Sequence, residues 1–430
     1  MRLNYKRTFF VGLAFLSICA FWQMYDNIIP LMLKNTFGLG ETVTGVLMAL
    51  DNILALFLLP LFGTLSDKVN TPLGKRTPFI LVGTTVAVIS MTLIPFANKT
   101  GNMILFLVFL GMVLVAMGSY RSPAVALMPD LTPKPLRSKA NAIINLMGAI
   151  GGVYTLVMIK LLVKAGTDYK ALFASVSGIM VIAVILLAII IREKKLSKEI
   201  DLEAGAVHKS EQEEEALSNQ EEASAGMPKA VKRSFIFLLA SIFLWFTGYN
   251  AVTTAYSRYT EEIWGLKTGG FADSLLFATV AAIFSYIPIG IIASIFGRKK
   301  TIIAGILMMT GSYLCGTLFT SYSPWINVVF AFTGIGWAAI NVNSYPMVVE
   351  MCKGSDIGKY TGLYYTFSMS AQVLTPILSG SLLEFVSYRT LFPYALLFSI
   401  ASLCTMLQVK HGDSRPVRRK DMMENFDTPD

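Results

Sequence analysis

Histidine is almost missing from this chain of 430 residues. It has 2, His208 in a polar stretch and His411 beyond the last apolar run. No histidine-based metal or catalytic centre can be assembled from such a pair. Cysteine is scarce too: Cys19, Cys315, Cys352 and Cys404 lack Cys-x-x-Cys spacing and read as thiols in packing roles. A Gly-Lys-Ser/Thr phosphate loop does not occur, which excludes work driven by ATP held in a Walker-type loop. Charge is the largest deficit. Only 15% of residues are charged against 54% hydrophobic, and mean hydropathy is +0.60. A water-soluble chain has too little interior to hide that much apolar surface.

What fills the chain instead is a series of about twelve apolar runs, each long enough to cross a hydrocarbon core. The first covers 8–33, the seventh 234–256 and the eleventh 360–383. Residues 1–7 are basic like the start of a signal peptide. The following run is too long for one, carries Asp26 and lacks a small-x-small cleavage site, so it reads as a retained span. The expected fold is an all-α membrane protein of about twelve transmembrane helices.

Lysine and arginine set the orientation, because they are held on the cytoplasmic side. Lys6, Arg7, Lys68, Lys75, Arg76, Arg137, Lys139, Arg192, Lys194, Lys195, Lys232, Arg233 and Arg298 fall on one side if the spans alternate, as does the 418–420 run. The opposite loops hold few, such as Lys34, Lys99, Lys267 and Arg389. Both termini are therefore expected in the cytoplasm, and the net charge of +9 reflects topology rather than nucleic-acid binding. A polar stretch rich in glutamate divides the chain. The expected organisation is a bundle over 1–192, a cytoplasmic linker over 193–233, a second bundle over 234–410 and a cytoplasmic tail over 411–430.

Short matches relate the halves. Tyr120-Arg121-Ser122-Pro123 precedes Asp130 and Lys139, and Ile340-Asn341-Val342-Asn343 precedes Glu350 and Lys359 at the same separations. Gly63-Thr64-Leu65-Ser66-Asp67-Lys68 with Gly74-Lys75-Arg76 follows the second span, and Gly297-Arg298-Lys299-Lys300 follows the eighth. Internal duplication of this kind is common in transporters.

The stretch from Gly63 to Asp67 with Gly74-Lys75-Arg76 resembles the signature loop of the major facilitator superfamily, and the likeness extends over the whole chain in span count and repeat. Leu73-Gly74-Lys75-Arg76-Thr77-Pro78-Phe79-Ile80, with Pro123, Ala126, Leu127 and Asp130, resembles more narrowly the sucrose/proton symporter-like branch of the glycoside–pentoside–hexuronide:cation symporters. The resemblance implies two pseudo-symmetric six-helix bundles rocking around a polar cavity, with sugars or glycosides as cargo. In physical terms, Asp67 can accept hydrogen bonds from the free N–H groups of a neighbouring helix, and Lys75 and Arg76 can pair with Asp67 or Asp130. The cytoplasmic gate is thus expected at Gly63, Asp67, Gly74, Lys75, Arg76 and Asp130, with Arg298 and Glu350 in the second half. Simple positive-inside anchoring is the alternative for Lys75 and Arg76.

Charges at membrane depth survive mainly where they work. Asp26 lies about 10 Å from the outer end of the first span and Asp51 about 12 Å from that of the second, so the two share one depth. Arg121 sits nearer the cytoplasmic side. These three are the candidates for proton coupling, against an alternative of fixed internal bridges. The second half lacks a mid-span acid or base but holds Tyr249, Asn250, Tyr256, Tyr286, Trp337, Asn341, Asn343, Tyr365 and Gln372. Aromatic faces cover the C–H patches of sugars and amides bond hydroxyls. Substrate binding is therefore expected mostly from Tyr249, Asn250, Trp337, Asn341, Asn343, Tyr365 and Gln372, joined by Trp22, Gln23, Tyr120, Arg121 and Asn145. The same residue types also glue helices together.

Sodium-coupled relatives of the melibiose permease type keep acids where this chain has Leu59, Ala55 and Arg121. Those residues cannot form a cage of oxygen ligands, which favours protons. The reading is a secondary transporter for a sugar or glycoside and H⁺. It needs no cofactor or metal, has membrane lipids as surroundings, does not bind nucleic acid, works as a monomer and resides in the cell membrane. The rivals are a drug/proton antiporter, a lysolipid transporter and a polytopic lipid-modifying enzyme. Gly148-x-x-Gly151-Gly152 lacks the proline usual in the antiporters, and reads as a close helix contact.

Overall fold

A computed structural model describes residues 3–132, 136–163, 168–196, 228–266, 269–351 and 357–413. Most of the linker, the tail beyond 413, His208, Cys352 and the side chains of Arg137, Lys139 and Lys359 lie outside the described residues. Lipid offers no hydrogen bonds to a backbone, so apolar runs satisfy their own N–H and C=O groups as helices. Twelve long helices result among the described residues: α1 (Tyr5–Asn35), α2 (Glu41–Lys68), α3 (Thr77–Thr100), α4 (Met103–Asp130), α5 (Arg137–Leu162), α6 (Lys170–Ile190), α7 (Lys229–Trp264), α8 (Phe271–Phe296), α9 (Arg298–Leu318), α10 (Ile326–Glu350), α11 (Ile357–Phe385) and α12 (Leu391–Leu407). No strand occurs among the described residues.

Eleven of these helices are long and apolar enough to cross a membrane. Helix α11 is long enough, but Ser, Thr, Tyr and Gln recur along it and keep its hydropathy lower. Helix α7 runs further than the 234–256 expected for it and carries Arg258, Glu261 and Glu262 in its last turns.

The two halves pack alike. In the first, α1 contacts α5 and α6, α4 contacts α2 and α3, and α3 contacts α6. In the second, α7 contacts α11 and α12, α10 contacts α8 and α9, and α9 contacts α12. Adding six to each helix number converts one set into the other, the signature of a duplicated six-helix unit. The halves meet where α2 packs on α11, α5 on α8 and α1 on α7. Small residues bring the first of these pairs close: a Cβ at Gly45 would collide with the Pro376 carbonyl, and one at Gly380 with that of Glu41. Gly151 lies equally close to the Leu16 backbone, so the glycine group of α5 is a packing contact with α1.

Candidate functional site

A cavity of about 410 Å³ lies between the halves. Phe15, Cys19, Gln23 and Asp26 reach it from α1, spaced by three or four residues and hence on one helix face. Asn145, Gly148 and Gly152 of α5 complete this wall. From the other half come Tyr249, Asn250 and Thr253 of α7, Tyr286 of α8, and Thr333, Trp337 and Asn341 of α10. The Tyr249 and Trp337 rings stack face to face, 3.8 Å apart and 4° from parallel, with Phe246 edge-on to the indole at 5.2 Å. One wall thus offers a carboxylate and amides, and the other a flat aromatic plate flanked by amides and hydroxyls. Such a lining suits a neutral, hydroxyl-bearing solute with apolar C–H faces.

Not every expected binding residue is here. Gln23, Asn145, Tyr249, Asn250, Trp337 and Asn341 line the cavity, whereas Trp22, Tyr120, Arg121, Asn343, Tyr365 and Gln372 do not. Tyr120 is fully buried, and its hydroxyl donates to the Ala14 carbonyl at 2.9 Å and meets Ser17 Oγ, tying α4 to α1. Asn343 spends its amide on the Ala339 carbonyl of its own helix, 2.9 Å away. Trp22 packs edge-on to Phe21 and Tyr25, and Tyr365 to Tyr364.

Of the three charges expected at membrane depth, Asp51 and Arg121 lie near enough to Asp26 to act on it electrostatically. Asp26 faces the cavity, and Asp51 and Arg121 stand outside its lining. Asp51 Oδ1 is held by the backbone N–H and side-chain amide of Asn52 at 2.6 and 2.8 Å. Tyr25, which sequence reading passed over, is fully buried beside Asp26 in the sequence and packs against Phe21 and Trp22.

At the face where α1 begins and α12 ends, Arg76 is the centre of the signature loop. Its Nε donates to Asp130 at 2.8 Å, its other nitrogens reach Asp67, Ser66 and the Gly63 carbonyl, and the side chain is almost fully buried. The pairing of Arg76 with both acids matches the chemistry read from the sequence. The expected partner of the free helix N–H groups needs correction. These groups, at Lys75, Arg76 and Thr77, donate not to Asp67 but to the Glu193 carboxylate, at 2.7 to 3.1 Å. Glu193, expected at the head of the solvated linker, is 2% exposed. It caps α3 because the chain leaving α6 passes under the loop.

The second half repeats the device. Arg298 pairs with Glu350 at 2.9 Å, and Asp413, just past α12, accepts from the Lys299 N–H at 2.8 Å. Gly74 and Gly297 have φ of +120° and +94°, and a Cβ on either would strike the capping carboxylate. Glycine is required at both positions on two counts.

At the other face the halves are bolted together. Glu41 of α2 and Arg258 of α7, each 4% exposed, form an ion pair at 2.6 Å, and the Tyr388 hydroxyl donates to the same carboxylate. Lys34 reaches Glu262 at 2.8 Å, Lys160 reaches Asp273 at 2.6 Å, and the Thr42 N–H donates to Glu384 at 2.7 Å. None of these contacts was foreseen.

A larger groove of about 790 Å³ between α2, α3 and α4 is walled by Phe62, Phe79, Val82, Val108 and Met112. Its exposed apolar walls suit lipid, not the solute.

The sequence matches the family described as Major Facilitator Superfamily over residues 11–287 and 264–424. The chain belongs to this superfamily. As a member of it, with eleven helices long and apolar enough to cross a membrane, the chain reads as a multi-pass transporter rather than an enzyme. Among superfamily relatives, an MFS-type transporter of Mycobacterium tuberculosis is 26% identical over 191 residues, 43% of this chain and 27% of the relative. A sucrose transport protein of Arabidopsis thaliana is 27% identical over 137 residues, 27% of this chain and 23% of that protein. An efflux pump of Aspergillus brasiliensis is 22% identical over 225 residues, covering 50% and 39%. The matched stretches thus span about a quarter to two fifths of these relatives. The fold is similar over 97% of both chains to the xylose transporter XylE of E. coli in its inward open conformation, at a TM-score of 0.66 and 15% identity. A peptide transporter POT with bound sulfate has a TM-score of 0.68 at 11% identity, over 95% of both chains.

Proposed function

We propose that this superfamily member is a proton-coupled symporter of a sugar or glycoside, working by alternating access. The observation that carries the reading is the meeting of Asp26 with the Tyr249–Trp337 plate in one cavity. A proton needs a single carboxylate that titrates, and a pyranose needs an aromatic plate with amides at its rim. Asp26 takes the proton, Asp51 and Arg121 adjust its charge balance, and Asn145, Asn250 and Asn341 bond cargo hydroxyls. The bolted outer face corresponds to a cytoplasm-facing state, with 1–192 and 234–410 as the rocking bodies. The cationic face lies in the cytoplasm with both termini, and the protein works as a monomer in the cell membrane.

The test uses proteoliposomes in sodium-free buffer at fixed membrane potential with radiolabelled mono- and disaccharides. A pH gradient, acid outside, should drive accumulation, and a protonophore should stop it. Asp26→Asn should retain solute exchange and lose accumulation. Accumulation that needs sodium and ignores the pH gradient would sink the proton assignment. The matched efflux pump of Aspergillus brasiliensis motivates a second reading, proton-coupled export. Under that reading the same gradient empties the vesicles instead of filling them.

A further inference from the structure

Residues Arg192-Glu193-Lys194-Lys195 follow α6, and on paper the glutamate offsets one of the three positive charges. Folding removes that compensation. Glu193 turns inward and is consumed by three backbone N–H groups and the Thr77 hydroxyl, while Arg192, Lys194 and Lys195 stay exposed. The three cations line a pocket of about 440 Å³ whose other wall is Pro72, Leu73 and Ile191. Leu73 is 53% exposed there. Directly below, Ile185, Ile189 and Ile190 of α6 present an apolar strip outwards, at 49%, 69% and 39% exposure. A cationic pocket with an apolar lip, set at the top of an apolar strip, is shaped for an amphiphile with an anionic head.

We propose that this pocket is a binding site for an anionic phospholipid. The headgroup phosphate sits between Arg192 and Lys194, the glycerol region rests against Leu73, and an acyl chain lies along Ile185 and Ile189. Arginine and lysine near a bilayer surface attract anionic lipid in any protein. What distinguishes this site is the built pocket, the apolar lip, and the burial of Glu193, the acid within the same run. Because Glu193 caps α3 from the floor of the same loop, an occupied pocket also braces the signature loop.

The full chain, purified in detergent, is mixed with phosphatidylglycerol or phosphatidylcholine, and bound lipid is counted by native mass spectrometry. Phosphatidylglycerol should be retained in preference. The double variant Arg192→Gln/Lys194→Gln should retain about tenfold less at equal lipid concentration. Lys229→Gln/Lys232→Gln, which removes the same charge from the start of α7, should change nothing. Leu73→Gln should weaken lipid retention and spare the binding of glycerol phosphate, and the shift in melting temperature on adding phosphatidylglycerol should follow the same order. Equal loss in the α7 control would reduce the effect to general surface charge and overturn the proposal. Competition by glycerol phosphate as strong as by the lipid itself would also overturn it, in favour of a soluble anion.

Discussion

At the face away from the chain termini, Glu41 of α2 meets Arg258 of α7 across the boundary between halves, with Lys34–Glu262 and Lys160–Asp273 beside it. At the termini face, Arg76 holds Asp67 and Asp130, and Arg298 holds Glu350, each inside its own half. Among the described residues the ion pairs of the two faces therefore do different jobs. Under the alternating access proposed above, bonds that cross the boundary would select a conformation, since they would have to break as the halves rock. Bonds inside a half would survive that motion and keep each bundle rigid. On this proposal the same chemistry, a guanidinium on a carboxylate, serves switching in one place and shape in the other.

The strongest way to break this contrast is Glu41→Ala. Removing one partner of a buried ion pair costs about 3–5 kcal/mol, here charged to the closed outer face alone. Spin labels at Ile104 and Trp325, exposed positions of α4 and the α9–α10 loop, should move apart in dipolar spectroscopy, with helix content unchanged. The swap Glu41→Arg/Arg258→Glu should bring them back together. An unchanged distance in Glu41→Ala would remove the switching role. Next in size is Arg76→Gln, which deprives Asp67 and Asp130 of their cation. It should lower unfolding stability in mixed micelles by about 2 kcal/mol and leave the label distance alone. A widened distance there would erase the difference between the faces. Glu193→Gln keeps an acceptor for the α3 N–H groups but loses its charge, for a loss of about 1 kcal/mol in the same titration. The smallest effect belongs to Lys160→Gln, whose lysine is 52% exposed. Less than about 1 kcal/mol is expected, and it should vanish in high salt.

The face that sequence reading captured is the one whose parts are contiguous. Asp67 at the end of α2 and Gly74 and Arg76 in the loop after it lie within ten residues, so their spacing alone announces a cluster. Glu41 and Arg258 are 217 residues apart. Arg258 also lies past the apolar run that ends at 256, so it looked like a loop residue until α7 proved longer. Glu193 was hidden differently, because a glutamate at the edge of an acidic stretch reads as solvated until the path of the chain is known. Within the cavity, a lone acid in an apolar run marked Asp26. Choosing among polar residues needed rotational phase: Asn341 faces the cavity, while Asn343, about 200° further around α10, turns back to the Ala339 carbonyl of its own helix. Composition and hydropathy carry the helix count but not the full length of α7, and only packing supplies the phase.

Helix α11 has a further consequence, for how the chain is made. Several of its hydroxyls are turned back on their own helix, Thr366 to Gly362, Thr375 to Ala371 and Ser379 to Thr375, at 2.6 to 2.8 Å, so part of its polarity is satisfied from within. Lateral release from a translocon still weighs the side chains against lipid, and by that measure α11 is the least qualified of the twelve helices. Its residence in the bilayer depends on α7 and α2, the neighbours it packs against. Helix α7 is synthesised 128 residues before α11 begins, counting from Lys229 to Ile357. The first half must accordingly be in place, with α2 available, before the second can close, which gives biogenesis an order that the symmetry of the finished bundle conceals.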